Sequence, residues 1–153
     1  VRLRVEPQVQ RWRDALAWML PRTHVLKISD EDLELLFPGA VPAELAAAWL
    51  RSGVALVVVT RGARGAEAWA GPHHVVVTPS RVTVVDTVGA GDTFQAALLT
   101  ALAEQSLLSP ESLHSLSAAP LDQALRFAAR AAAITCSRRG ADLPRRHELN
   151  GEA

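Results

Sequence analysis

Apolar side chains recur at intervals of three and four near the start of the chain, at Val9, Trp12, Leu16 and Met19. That spacing predicts a helix over residues 7–20, ended by Pro21. Val25, Leu26 and Ile28 form a short apolar run between polar neighbours, the pattern of a buried strand. Ser29 then precedes Asp30, Glu31 and Asp32 as an N-cap precedes an acidic first turn, and Leu33, Leu35, Leu36 and Phe37 give this second helix its buried face up to Pro38-Gly39. Pro42 opens a third helix with Leu45, Ala48, Trp49 and Leu50 inward, and Gly53 closes it.

Residues 54–59 are an unbroken apolar run, rich in valine and too short for a helix. Such a run needs cover on both faces, which a parallel sheet between helix layers provides. Residues 66–70 and 74–78 flank Gly71-Pro72 as a hairpin, and residues 82–85 read as another strand. A helix is predicted over 91–104, with Phe94, Leu98, Ala101 and Leu102 inward. A Ser- and Pro-rich loop with one short helix between Pro110 and Leu116 follows, then an Ala-rich helix over 121–137 and an irregular tail. Strands alternating with helices place the chain in the α/β class.

Composition narrows the function classes. The 153 residues carry 16 Lys and Arg against 16 Asp and Glu, so no basic excess is available to attract nucleic acid. With 49% hydrophobic and 21% charged residues the chain has the make-up of a folded domain, and its longest apolar run falls far short of a membrane span. A single cysteine, Cys136, excludes an internal disulfide and points to the cytoplasm. The start at Val1 has the features of neither a signal nor a transit peptide and reads as a cut edge, so one domain or half of a larger one is expected.

The segment with chemical content is VTVVDTVGAGDTFQAALL, residues 82–99. An apolar run ends at Asp86, a Gly-Ala-Gly turn follows, and Asp92 opens an amphipathic helix. Backbone N–H groups converging in such a turn, together with the positive end of the helix, suit a phosphate or a developing anionic oxygen. Asp92 is a carboxylate beside that anion hole, able to take a proton from an attacking hydroxyl; phosphoryl transfer asks more for positioning than for a strong base. On the residues alone, a plain turn with a capping Asp stands at about even odds with this reading. A second glycine element, residues 60–65 (TRGARG), lies at the carboxyl end of the 54–59 strand, where α/β sheets bind ligands. His73 and His74 lack the spacing of a helical metal pair, and Trp12, Trp18, Trp49 and Trp69 are too scattered for a stacking platform.

Asp86-Thr87-Val88-Gly89-Ala90-Gly91-Asp92 followed by TFQAALL resembles the C-terminal signature of the ribokinase/PfkB family of carbohydrate kinases. Residues 27–32 (KISDED) resemble the family's Lys-x-Asn-x-x-Glu region, residues 60–65 its Thr-x-Gly-x-x-Gly loop, and residues 131–141 its late helix ending in Arg-x-Gly-Ala. The order agrees from the first residues to about Leu149. Within the family the chain is most similar to bacterial fructokinases, through ISDE before the first of these helices, DTFQAALL after the anion hole and TCSR-x-GA near the end.

The resemblance implies a ribokinase-like, Rossmann-type three-layer α/β/α fold with a mainly parallel sheet. It implies an ATP-dependent kinase that phosphorylates the 6-hydroxyl of fructose, requires Mg²⁺ and is activated by a potassium-type ion. Carried over by position, Asp92 is the catalytic base, and Gly89, Ala90 and Gly91 form the anion hole. Thr60, Gly62 and Gly65 contact nucleotide phosphates. Asp86 and the Val88 carbonyl belong to the monovalent-cation loop, whose other side comes from residues 135–140. Ser29 and Asp32 fall on the Asn and Glu that organise Mg²⁺ waters and phosphates, although both are shorter than the family's residues.

Family members are about twice as long. Their N-terminal half supplies an early glycine pair, most sugar contacts and a lid that excludes water, so residues 1–149 correspond to the C-terminal half, with 150–153 as a disordered tail, and little turnover is expected from this half alone. The implied partners are a sugar and ATP, with neither nucleic acid nor membrane, and a homodimer of the full-length protein is left open. The alternatives are a family kinase for ribose, 2-keto-3-deoxygluconate or a nucleoside, and an inactive remnant serving as a binding module.

Overall fold

In the computed structural model, which describes residues 5–79 and 81–149, three helices and a strand precede the central strand of a small sheet. The elements are α1 (Val9–Met19), β1 (Val25–Ser29), α2 (Asp30–Leu36), α3 (Pro42–Arg51), β2 (Leu56–Thr60), β3 (Ala66–Ala70), β4 (His73–Val77), α4 (Ala90–Glu104), α5 (Pro110–His114), α6 (Ala118–Cys136) and α7 (Arg146–Leu149). The sheet order is β1-β2-β3-β4. β1 and β2 run parallel, with Ser29 opposite Thr60, while β2–β3 and β3–β4 are antiparallel.

Alternation along β2 explains its sequence. Leu56 and Val58 point to one side, into a core built with Phe94, Leu98 and Leu102 of α4 and Leu121, Leu125 and Ala128 of α6. Val57 and Val59 point to the other, joining Ile28, Leu33, Leu36 and Trp49. All four are inaccessible to solvent, so an uninterrupted apolar run is what a strand between two helix layers needs. On β3, Ala66, Ala68 and Ala70 face α4 and α6, whereas Trp69 turns to the opposite core.

The segment 82–85 departs from expectation. It forms no strand, and Val82, Val84 and Val85 are 37%, 57% and 59% exposed. Among the described residues no strand runs beside it. Instead the N–H groups of Val85 and Asp86 both donate to the Cys136 carbonyl, at 2.8 and 3.2 Å. The tail is also less irregular than expected, because the Glu148 carboxylate accepts from the Arg145 N–H at 2.6 Å and pairs with Arg138, which fixes the short helix α7. The expected start at Val1 and the tail 150–153 lie outside the described residues. His74 stacks on Trp69 with ring centroids 5.0 Å apart, so this hairpin histidine is a packing residue.

Candidate active site

Two glycine-bearing loops and two strand ends carry the residues singled out from the sequence. Thr60 closes β2 next to Ser29 of β1, and its Oγ1 donates to the Ile28 carbonyl at 3.5 Å. The loop after Thr60 folds back on itself, with the Arg61 N–H donating to the Gly65 carbonyl at 2.7 Å. Gly65 has φ +93°, and a Cβ there would run into the Val77 carbonyl, so the loop can lie against β4 only with glycine at this place. An Arg64–Asp30 ion pair ties the loop to the first turn of α2. Ser29 caps that helix by accepting from the Asp32 N–H at 3.1 Å. Thr60, Gly62 and Gly65 thus share the carboxyl end of the parallel pair with Ser29 and Asp32, the place where open α/β sheets bind ligands.

The second loop is held from two sides. One Asp86 carboxylate oxygen accepts from the Val88 N–H at 3.0 Å and the other from the Gly140 N–H at 2.9 Å. These amides, Val88 first, hold the Asp86 carboxyl below the usual carboxylate range. The Asp86–Val88 segment therefore lies against residues 136–140. The Cys136 thiol, by contrast, is pushed up by burial and then by the nearby Asp86 charge.

Gly89 caps α4 in the left-handed conformation, φ +81°, and a Cβ there would come within 2.7 Å of the Ala141 Cβ. From inside, the buried Thr93 hydroxyl donates to the Gly89 carbonyl at 2.9 Å and lies 3.1 Å from the Thr135 hydroxyl. No local motif singles out Thr93 or Thr135 in the sequence. Their signal was a hydroxyl at a core-facing position of each helix.

Asp92 stands exposed in the first turn of α4. The amides of Gly91 and Asp92 have no intrahelical acceptor, and among the described residues the preceding loop supplies none. An ionisable side chain beside open N–H groups at a helix start can bind an anion and exchange a proton with a neighbouring hydroxyl. Among the described residues no hydrogen bond or ion pair joins Asp92 to the Ser29 and Thr60 strand ends. Lys27 connects the two regions, its Nζ lying 3.1 Å from where a Gly91 Cβ would be. A cavity of about 200 Å³ between α4, α6 and the 143–149 segment is lined by Thr93 but by neither Asp92 nor the Ser29 and Thr60 strand ends.

The pattern of pfkB family carbohydrate kinases matches residues 2–148. The chain belongs to the pfkB family. It is 44% identical over 108 residues to a fructokinase of Rhizobium leguminosarum bv. trifolii, covering 71% of this chain and 32% of that protein. It is 32% identical over 143 residues to fructokinase-2 of Solanum lycopersicum, covering 92% and 42%. Among solved structures, a double mutant of the Vibrio cholerae O395 fructokinase, with fructose, ADP and potassium bound, superposes with TM-score 0.79 at 27% identity, covering 97% of this chain and 46% of that one. The ribokinase-like fold class is shared with these pfkB relatives. This chain spans a third to two-fifths of the length of the curated relatives named here.

Among the described residues no three His, Cys, Asp or Glu side chains converge, so a divalent ion here would draw most of its ligands from phosphate and water, as Mg²⁺ does. Asp86 presents hard carboxylate oxygens beside the 136–140 segment, each already accepting one backbone N–H, from Val88 and Gly140. Among the described residues no helix is long and apolar enough to cross a membrane.

Proposed function

We propose that residues 1–149 are the C-terminal, nucleotide-binding and catalytic part of an ATP-dependent sugar kinase whose acceptor is the 6-hydroxyl of fructose. The observation that carries this reading is the placement of Asp92 beside the open Gly91 amide at the end of the Gly89–Ala90–Gly91 turn, in a chain of the pfkB family. Asp92 accepts the proton of the sugar hydroxyl as that oxygen attacks the γ-phosphorus and the bond to the bridging oxygen breaks, releasing ADP. The Gly89, Ala90 and Gly91 turn takes up charge on the transferring phosphoryl oxygens, where stabilisation lowers the barrier most. Thr60, Gly62 and Gly65 position the nucleotide phosphates.

Ser29 and Asp32 would hold the water shell of Mg²⁺, and Asp86 with the Val88 carbonyl would hold a potassium-type ion behind the anion hole. Bound Mg²⁺ neutralises phosphate charge. Fructose as substrate rests on the fructokinase relatives, and a cytoplasmic setting on the single cysteine.

The test is ADP release from Mg-ATP with potassium and a sugar panel, using this chain together with any coding sequence found upstream of it. Fructose-dependent release is expected, falling about a thousandfold in Asp92→Ala. Preference for ribose, 2-keto-3-deoxygluconate or a nucleoside would refute the substrate. Turnover that survives in Asp92→Ala would refute the mechanism, and no turnover with any acceptor would leave a binding module.

A further inference from the structure

His24 and His114 meet edge to face, with ring centroids 6.2 Å apart, at the end of the sheet opposite the candidate active site. His24 immediately precedes β1, so the length of the strand puts about 16 Å between it and Ser29. Its carbonyl accepts the N–H groups of both Ala55 and Leu56 at 2.9 Å, which fixes its backbone. His114 closes α5, which Leu113 anchors in the core shared with α4 and α6. The His114 Nδ1 lies 2.7 Å from the Pro110 carbonyl. A carbonyl only accepts, so Nδ1 carries the proton and the lone pair of the neutral ring sits on Nε2, as in histidines that a backbone carbonyl orients toward a metal. One turn earlier stands Glu111. Its carboxyl is held below the usual range first by its own backbone N–H, then by the Ser109 hydroxyl and, less strongly, by His114 and His24, so it lies within electrostatic reach of both rings.

We infer that His24 and His114 are two ligands of a surface site for a divalent transition-metal ion of the Zn²⁺ type, with Glu111 as the third ligand and water completing the shell. Two imidazoles on one ion, each bound at about 2.0–2.1 Å, stand with centroids about 5 Å apart, close to the separation already present. The three groups do not converge on one point in the chain as it stands, but all are exposed, so side-chain rotations close the site while the backbone stays in place. Imidazole nitrogen suits Zn²⁺ and not Mg²⁺, which prefers oxygen and keeps its water. The site is therefore separate from any divalent ion of phosphoryl transfer, and it stands independently of the kinase reading. An ion bound there ties the connection between α4 and α6 to the start of the sheet.

Calorimetric titration of the 153-residue chain with Zn²⁺, in excess Mg²⁺, tests this. His24→Ala and His114→Ala are each expected to weaken binding at least about tenfold, and the double variant little further, because losing either ligand breaks the chelate. Glu111→Gln should weaken it less. His73→Ala, His147→Ala and Cys136→Ser should leave it unchanged. Zn²⁺ should raise the unfolding temperature of the parent chain and not that of the His24 and His114 variants. In the unaltered chain the imidazole NMR signals of His24 and His114 should shift together on addition of Zn²⁺, a readout independent of how the variants fold. Absence of Zn²⁺ binding, binding that survives both histidine substitutions, or binding lost in Cys136→Ser or His73→Ala instead overturns the inference.

Discussion

Gly65 and Gly39 both adopt positive φ, yet their surroundings differ, and the difference sets what a methyl group costs. At Gly39 no heavy atom lies within 4 Å of an added Cβ, so Gly39→Ala should lose about 1 kcal/mol from the backbone alone. At Gly65 the added atom meets the Val77 backbone carbonyl, and Gly65→Ala should cost about 3 kcal/mol or more; urea unfolding of the two variants compares them. Asp86 gives a pH prediction. Its folded pKa is depressed, so its contribution to stability is present above the ordinary aspartate value and fades as pH falls through the lower folded value. Asp86→Asn keeps only one acceptor oxygen for two amides. It should be less stable than the parent at neutral pH, and the gap should close below about pH 4; a constant gap across the acid range would contradict this. The Cys136 thiol, raised by burial, should react slowly with iodoacetamide at neutral pH and faster as pH climbs beyond the usual thiol range.

Elements were legible where one pattern sufficed. The capping Ser29, the proline at the start of α3 and the apolar run of β2 each announce themselves locally, because the physics they report acts within a few residues. Residues 82–85 show the opposite case: a β-favouring sequence forms no strand when no neighbour among the described residues offers a ladder, and the Val85 amide turns to the end of α6 instead. That docking makes the contact between α4 and α6 central to the site. Thr93→Val removes the hydroxyl that links the Gly89 turn to Thr135, and should cost about 1–3 kcal/mol in urea unfolding. An unaltered midpoint would mean that the turn is held by the backbone alone.

For the whole molecule, β1 pairs only with β2 among the described residues, which leaves one edge of a parallel pair without a partner. Close in sequence to the Asp86 loop, Val84, Val85 and Val88 are 57%, 59% and 60% exposed. An open sheet edge and uncovered valines favour association. The 153-residue chain is expected to self-associate with rising concentration in sedimentation velocity. Val84→Lys combined with Val85→Glu should reduce this without lowering the unfolding temperature. A strictly monomeric parent chain would count against the prediction.

The sequence by itself determined the α/β alternation, the two-sided burial of the central strand and the glycine turn that ends at Asp92, since each depends on the spacing of nearby residues. It also carried the family, because the DTVGAGDTF segment is contiguous. Only the tertiary structure decided that Asp86 reaches Gly140, that Thr93 meets Thr135 and that Lys27 arrives over Gly91. These contacts join positions dozens of residues apart. Their geometry is set by how the two helix layers close on the sheet, and no local pattern encodes that closure.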